Sequence, residues 1–280
     1  MEILLFASII PVVLLGIYIY KKDQHKEPIG LLASIFILGV LSCIPVVITE
    51  VFVGELFPID ETTSSFLEIF INVFIGVGLI EEGFKWLVTY FRGYKHREFD
   101  EVYDIIVYAV FASLGFACIE NIMYVFSYGL GTAAMRAVTS IPGHASFGIL
   151  MGYFLSKAKV NELNGEKSLR SKNLFLSIFI PTLFHTTFDA ILTSNLDLAI
   201  IIFFIFDIGM VIYCFNIVKK MSKIQQNLTT NIQKGTITEK KDGTIQYTWK
   251  DENKEYHFCP ICGKNVEGYN FCPNCGLKLK

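Results

Sequence analysis

The chain has 280 residues, a net charge of −2 and 52% hydrophobic residues, among them 25 Phe, and its mean hydropathy is +0.48. This composition is too apolar for a soluble domain of that size and favours a membrane protein. Since the charge is close to zero, no overall field attracts nucleic acid, and we expect no nucleic-acid partner.

Seven apolar segments are each long enough to cross about 30 Å of hydrocarbon as a helix, which takes about 20 residues. They lie near residues 3–20, 29–53, 66–91, 104–128, 132–156, 173–193 and 197–218. We therefore predict an all-α polytopic membrane protein with about seven transmembrane helices, which together form one domain over residues 1–224.

The basic residues of the connecting loops alternate along the chain. The first, third and fifth loops hold Lys21, Lys22 and Lys26, then Arg92, Lys95 and Arg97, then Lys157, Lys159, Lys167, Arg170 and Lys172. Loops on the cytoplasmic side carry an excess of Lys and Arg. The pattern predicts a multi-pass protein of the cell membrane with its N-terminus outside and its C-terminus in the cytoplasm.

The tail divides into a polar linker over residues 225–256 and a cysteine-rich end over residues 257–280. The stretch Thr236 to Trp249 alternates apolar and polar residues around a Lys-Asp-Gly turn, which is typical of a β-hairpin. Two Cys-x-x-Cys knuckles follow, formed by Cys259, Cys262, Cys272 and Cys275. They predict a small β-rich zinc ribbon whose four thiolates hold a structural zinc ion. A redox dithiol would not need the second pair, and a closed site of this kind stabilises a fold or binds a protein partner instead of catalysing a reaction.

Ionisable side chains lie inside four successive apolar segments, where each charge costs about 2.5 to 3.5 kcal/mol on insertion scales. The third segment holds Glu81, Glu82 and Lys85. Lys85 is one helical turn from Glu81, so these two side chains should pair. That pairing leaves Glu82 without a partner and points to a role other than a structural ion pair.

The next three segments contribute Glu120 with Asn121, then His144, then His185 with Asp189. His185 and Asp189 are four residues apart, so the carboxylate can orient the imidazole. Groups that are so costly to bury should face one another in a polar interior. Carboxylates and imidazoles around water predict hydrolysis, in which one carboxylate takes a proton from water and an imidazole stabilises the oxyanion or protonates the departing amine.

Four other polar residues of the apolar segments are weaker candidates, because snorkelling or an interfacial position explains most of them: Glu50, Glu68, Arg136 and Asp207. The sequence contains no Gly-x-Ser-x-Gly, His-Glu-x-x-His or P-loop motif. This argues against a serine hydrolase, a zincin and a nucleotide-driven protein. Two other classes stay open. One is a proton-coupled transporter or channel that uses the same acids, and the other is a receptor or scaffold whose zinc ribbon carries the function.

Three ordered motifs resemble a known family. The stretches Glu81 to Lys85, Phe116 to Glu120 and His185 to Asp189 are similar to the Glu-Glu-x-x-Lys, Phe-x-x-x-Glu and His-x-x-x-Asp motifs of the PrsW intramembrane proteases, relatives of the CAAX-processing and bacteriocin-processing endopeptidases. The resemblance runs from the first to the seventh helix. It implies proteolysis of membrane-associated proteins, in some members site-1 cleavage of a membrane-spanning anti-sigma factor.

The resemblance also implies roles for individual residues. Glu81 would be the water-activating base and Glu82 its essential neighbour, while Glu120 takes the place of a histidine that helps to hold the water in the CAAX branch. His185 and Asp189 would match the oxyanion-stabilising pair. Supporting positions are Lys85, Phe116 and Asn121, and His144 also looks like a family position.

Members of the family have been described both as metalloproteases and as glutamate-dependent proteases. His144, His185 and a glutamate would make a zinc site with an open coordination position. We favour the metal-free mechanism, because paired adjacent glutamates suit base chemistry and the sequence has no compact metal-ligand motif. The terminal zinc ribbon is not part of the family core.

Overall fold

The computed structural model describes residues 2–58, 64–194, 197–233, 236–239, 245–248, 265–274 and 276. Within these ranges the chain forms nine α-helices and one pair of strands. The helices are α1 (Glu2–Lys22), α2 (Ile29–Leu56), α3 (Phe66–Val73), α4 (Leu79–Val88), α5 (Asp104–Tyr128), α6 (Leu130–Val138), α7 (Ser140–Leu163), α8 (Lys167–Thr193) and α9 (Ala199–Gln233).

The third predicted helix is not one regular α-helix. A first π-helical segment (Phe74–Gly78) joins α3 to α4, and a second (Thr89–Tyr94) follows α4. At its start, α3 is closed by a capping box in which the Ser65 amide donates to Glu68 Oε2 at 2.7 Å. Glu68 is therefore a helix cap, and π segments are often found beside functional sites.

The fifth predicted helix is also divided, into the short α6 and the longer α7. In the described part of the chain, five helices are long and apolar enough to cross a membrane, namely α1, α2, α5, α8 and Ala199–Ser222 of α9. The remaining two of the seven predicted spans differ from this pattern for physical reasons. The π segments interrupt one of them, and polar residues such as Lys157, Lys159 and Asn161 lower the hydropathy of α7.

Helix α5 lies at the centre of the bundle, because glycines let its neighbours approach closely. A Cβ atom at Gly39 of α2 would lie 2.2 Å from the Ala112 carbonyl oxygen, and one at Gly115 would lie 2.1 Å from that of Phe36. Gly152 of α7 is similarly close, since its Cβ would lie 2.5 Å from the Ile106 Cα. Small residues at such crossings are the usual way that helices pack in membranes.

The outer faces of the bundle are apolar. Large side chains such as Leu14 on α1, Ile48 on α2 and Ile205 on α9 are exposed. Exposed apolar surface on this scale marks a surface that contacts lipid or another protein.

Part of the tail packs against the end of the bundle where α5 begins and α7 ends. The Asn164 side chain donates to the Phe271 carbonyl oxygen at 3.0 Å and accepts from the Phe271 amide at 3.1 Å. Cys272 is buried there. Strands β1 (Thr236–Glu239) and β2 (Ile245–Thr248) pair antiparallel within the stretch for which the sequence predicts a hairpin.

Three of the four predicted zinc ligands, Cys259, Cys262 and Cys275, lie outside the described residues. The β-rich zinc ribbon therefore stays a prediction from the sequence.

Candidate active site

Glu81, Glu82 and Lys85 lie in the first turns of α4, directly after the first π segment. The Lys85 Nζ donates to Glu81 Oε2 at 2.8 Å and to Glu82 Oε1 at 2.9 Å. Glu82 and Lys85 have no exposed surface. The ammonium thus binds both carboxylates, which corrects the sequence expectation that only Glu81 would pair with it. The spacing i to i+3 makes the second contact as accessible as i to i+4.

His185 of α8 lies between carboxylates on both sides of its ring. Its Nδ1 is 3.0 Å from Glu82 Oε1, and its Nε2 is 3.1 Å from Asp189 Oδ2. Glu81 Oε2 also lies near this ring, 3.8 Å from Nε2. Since only the imidazolium donates from both nitrogens, this environment suits the doubly protonated ring. The i, i+4 pair predicted from the sequence is present.

His144 of α7 connects Lys85 to Glu120 of α5. Its Nε2 is 2.8 Å from Glu120 Oε2, and its Nδ1 is 3.3 Å from the Lys85 Nζ. Because an ammonium only donates hydrogen bonds, Nδ1 must accept, and the proton of the neutral ring belongs on Nε2, where it faces the carboxylate. His144 therefore joins the α4 cluster to Glu120.

Arg136 belongs to the site, although the sequence marks it only as a weaker candidate. Its Nη2 is 3.0 Å from Glu120 Oε2, and its Nε donates to Asn121 Oδ1 at 2.9 Å. The Asn121 side chain in turn donates to the Ser8 carbonyl oxygen of α1 at 2.8 Å. Asn121 thus positions Arg136 and does not face the catalytic carboxylates. In the sequence, Asn121 was indicated only by its neighbour Glu120. Arg136 lies on a different helix, α6, so no periodicity in the sequence links it to α5.

Two aromatic rings form an apolar wall behind the charged groups. The Lys85 Nζ lies 4.1 Å from the centroid of the Phe116 ring, a cation–π contact. The Phe147 ring stacks on His185 with centroids 4.7 Å apart. Phe116 was expected as a supporting residue, whereas Phe147 was not. Both rings restrict the rotamers of the groups they contact and keep water away from that side of the cluster.

The charges of the cluster are nearly balanced, and the cluster opens at one edge. The four carboxylates (Glu81, Glu82, Glu120 and Asp189) face Lys85, Arg136 and the His185 ring. The side chain of Asp189 is 30% exposed and that of Glu120 is 18% exposed, whereas both histidine side chains are only 5% exposed. Water therefore reaches the cluster from the edge formed by Asp189 and Glu120.

A groove of about 530 Å³ lies between α2 and the first part of the third span. Glu50 and Val53 line it from α2, and Asn72 and Gly76 line it from the opposite side. Glu50 also interacts electrostatically with Glu81. Glu50 therefore places one wall of the groove near the cluster.

Some carboxylate and imidazole groups of the cluster are close enough together to be metal ligands. Glu81, Glu82 and His144 offer ligand atoms that all lie within 4.8 Å of one another, and carboxylate and imidazole are ordinary zinc ligands. However, the Lys85 ammonium contacts all three donors. A dication at the same position would be repelled by this ammonium. In this arrangement the three donors hold the Lys85 ammonium group and do not fit a metal ion. A metal ion would require the Lys85 side chain to move away.

All six predicted catalytic residues, on helices α4, α5, α7 and α8, are brought together by these contacts. The predicted convergence of ionisable groups from four spans is thus present in the structure.

Comparison with known proteins places the chain among membrane proteases. A family model described as PrsW family intramembrane metalloprotease matches residues 27–217. "Protease PrsW" of Oceanobacillus iheyensis is 43% identical over 189 residues, which cover 68% of this chain and 82% of that protein. The proteins of the same name from Bacillus subtilis and Clostridioides difficile are each 35% identical, over 67% and 72% of this chain and 82% and 84% of theirs. No solved structure matches the chain.

Proposed function

This chain belongs to the PrsW family of intramembrane proteases, and from that premise we propose that it hydrolyses peptide bonds of membrane-associated proteins with water activated by Glu81. Family membership makes it a multi-pass membrane protease. One observation supports the finer proposal most directly: two adjacent carboxylates, Glu81 and Glu82, share one buried ammonium and face the same imidazole.

Glu81 suits the role of general base better than Glu82. Glu82 has no exposed surface, and its Oε1 accepts from both Lys85 and His185. Glu81 keeps a small exposed area and lies closer to the open edge of the cluster. A base must reach the water that it deprotonates. Glu82 then holds Lys85 and His185 in position while Glu81 carries the proton.

The hydrolysis proceeds in two steps. In the first, Glu81 accepts a proton from water, and the water oxygen forms a bond to the carbonyl carbon of the substrate. The His185 Nε2–H, which donates to Asp189 at the exposed edge, also donates to the oxyanion that forms. In the second, the carbon–nitrogen bond breaks as the amide nitrogen takes the proton from Glu81, which becomes a carboxylate again. Asp189 keeps the His185 ring in the orientation that this requires.

The substrate segment enters along the groove that Glu50, Asn72 and Gly76 line. Helical substrates hide their backbone carbonyls in internal hydrogen bonds, so the segment must be extended at the bond that is cut. Polar groups such as the Asn72 amide and Glu50 can bind backbone groups that the extended segment exposes. A membrane-spanning anti-sigma factor is a substrate of this kind.

We further propose that the C-terminus is cytoplasmic and that the tail carries a structural zinc ion on Cys259, Cys262, Cys272 and Cys275. The basic loops support a cytoplasmic position for this end of the bundle. The tail packs on the same end, because Phe271 forms hydrogen bonds with Asn164 just after α7. The ribbon would bind a protein partner or stabilise this end of the bundle. The transporter and scaffold readings lose their support, since the family consists of proteases.

The proposed activity is tested by comparing membrane proteomes of cells with the wild-type chain and with Glu82→Gln. We expect at least one membrane protein to accumulate uncut in the variant, and the purified wild-type chain should cleave that protein. Glu2→Gln, a change at an exposed acid of α1, is the matched control and should leave the proteome as in the wild type. The proposal fails if no membrane protein differs between wild type and Glu82→Gln.

The metal-dependent alternative has its own test, because the family description names a metalloprotease. Activity of the full chain is measured before and after dialysis against a chelator, in a background where the four tail cysteines are serine. Glutamate chemistry predicts an unchanged rate. Loss of activity that added Zn²⁺ restores would instead assign the metal to Glu81, Glu82 and His144.

A further inference from the structure

A second cluster of buried carboxylates lies far from the proposed active site. Asp23 and Glu27 belong to the connection between α1 and α2, and Asp104 is the first residue of α5. All three are at least nine-tenths buried, and their carboxylate oxygens lie within 4.8 Å of one another. Asp104 and Glu120 are 16 residues apart on α5, which at 1.5 Å per residue is about 24 Å.

The hydrogen-bond donors to Glu27 and Asp104 are neutral groups, and the two carboxyl groups also interact with each other. Glu27 accepts from the Tyr108 hydroxyl, and Asp104 Oδ2 accepts from the backbone amides of Asp100 and Glu101. The nearest lysine in sequence, Lys26, donates to the backbone carbonyls of Tyr20 and Lys21 at the end of α1 and also to that of Asp23.

Asp104 contributes to this cluster a buried oxygen that receives no hydrogen bond from the described residues. Asp104 Oδ1 is buried and has no hydrogen-bond partner in the described part of the chain. A buried carboxylate oxygen with no partner costs about 1 to 3 kcal/mol or more. The cluster therefore has the acidic groups and the available oxygen atom that a cation site needs.

We propose that Asp23, Glu27 and Asp104 bind a hard divalent cation, Mg²⁺ or Ca²⁺, at this end of the bundle. The three ligands are carboxylates without sulfur or imidazole, which is the set that these cations prefer, and water completes the coordination shell. The bound cation ties the α1–α2 connection to the start of α5. It thereby fixes the central helix that presents Glu120, about 24 Å away, without taking part in the proposed hydrolysis.

Terbium luminescence tests the site in the full-length chain in detergent micelles. Tb³⁺ replaces Ca²⁺ at oxygen sites, and Tyr108 beside Glu27 can transfer excitation to it. We expect tyrosine-sensitised Tb³⁺ emission that Ca²⁺ or Mg²⁺ displaces, and an emission at least about tenfold lower in Asp104→Asn, which removes one of three charged ligands. Glu2→Gln is the control for loss of an exposed acid. Equal emission from wild type and Asp104→Asn would overturn the proposal.

The same titration in a Glu81→Gln, Glu82→Gln chain separates this site from the catalytic cluster. Emission should persist in that chain, because its ligands are on other elements. If emission disappears there, the ion binds among the catalytic glutamates and the proposal is wrong.

Thermal unfolding supplies a second readout that does not depend on one variant. Millimolar Mg²⁺ or Ca²⁺ should raise the Tm of the wild-type chain, since a ligand that binds only the folded state stabilises it. The rise should be absent in Glu27→Gln, which keeps the contacts of Asp104 to the backbone amides of Asp100 and Glu101 and stands in for Asp104→Asn if that variant aggregates. A wild-type Tm that neither cation changes would mean that protons neutralise the cluster, and the cation site would be rejected.

Discussion

The two buried clusters of charged residues differ in how their charges are balanced. In the catalytic cluster, carboxylates alternate with Lys85, Arg136 and imidazole rings, and each charge lies within about 3 Å of an opposite one. In the second cluster, the hydrogen-bond donors to Glu27 and Asp104 are neutral, and the two carboxyl groups interact with each other. The first cluster is thus complete from protein groups alone, whereas the second needs a proton or a cation.

The difference has a consequence for chemistry. A cluster that is balanced by an ammonium leaves its carboxylates free to exchange protons with water, which general-base catalysis needs. A cluster of one sign holds a cation tightly and contributes stability instead. Substitutions in the balanced cluster and in the neighbouring groove test its part of this comparison.

The largest expected effect is on turnover in Glu81→Gln. The amide keeps the shape of the side chain but cannot accept a proton from water, so kcat should fall about 10² to 10⁴-fold, as for loss of a general base. Cleavage of a purified membrane substrate measures this. Retention of more than about a tenth of the rate would show that Glu81 is not the base.

Lys85→Met should affect stability more than any other single change in the catalytic cluster. It leaves Glu81 and Glu82 as unpaired buried carboxylates, and breaking a buried pair in this way costs about 3 to 5 kcal/mol. The free energy of unfolding in detergent measures the loss. Lys167→Met, at an exposed position, is the control and should change it by less than about 0.5 kcal/mol. Restoring stability with Glu81→Gln and Glu82→Gln in the same chain would confirm the cause, and a lack of any loss would contradict the ion-pair geometry.

The sequence was informative about the catalytic cluster because burial of charge in a membrane is costly. Glu81, Glu82 and Lys85 stand out against their apolar neighbours, and His185 and Asp189 have the spacing of one helix face. Arg136 does not stand out in this way. It follows a glycine-rich turn and resembles an interfacial arginine, and only the tertiary packing of α6 against α5 brings it to Glu120.

The helix boundaries show a similar limit. Hydropathy predicts the third span over residues 66–91, but it contains no signal for the π segments before and after α4. Such segments depend on close packing, as at Gly78, where a Cβ would lie 2.5 Å from Thr186 Oγ1. The second cluster could not be predicted from the sequence either, because Asp23 and Glu27 lie in a charged loop where acidic side chains are expected to be solvated.

Arg136→Gln should lower kcat/KM about tenfold, which corresponds to about 1.4 kcal/mol of transition-state stabilisation. Arg136 acts through Glu120 and is a positioning residue. A matching Arg136→Lys change, which keeps the charge, should restore part of the activity. Arg97→Gln, at a side chain that is 89% exposed, is the control. If Arg136→Lys is as inactive as Arg136→Gln, the charge on Glu120 is not what Arg136 provides.

The smallest expected effect is on substrate binding, in Gly76→Leu. A Cβ at Gly76 meets only ordinary contacts, with Asn72 Oδ1 at 3.8 Å and Val53 Cγ1 at 4.0 Å, so the fold tolerates a side chain there. The isobutyl group then fills part of the groove while every contact of the charged cluster stays in place. KM should rise about threefold to tenfold with little change in kcat, as expected when binding is lost equally from ground and transition states. Gly209→Leu, where a Cβ meets no atom within 4 Å, controls for added apolar surface on a helix. An unchanged KM in Gly76→Leu would remove the groove from the path of the substrate, and a fall in kcat alone would mean that the new side chain disturbs the cluster through the first π segment.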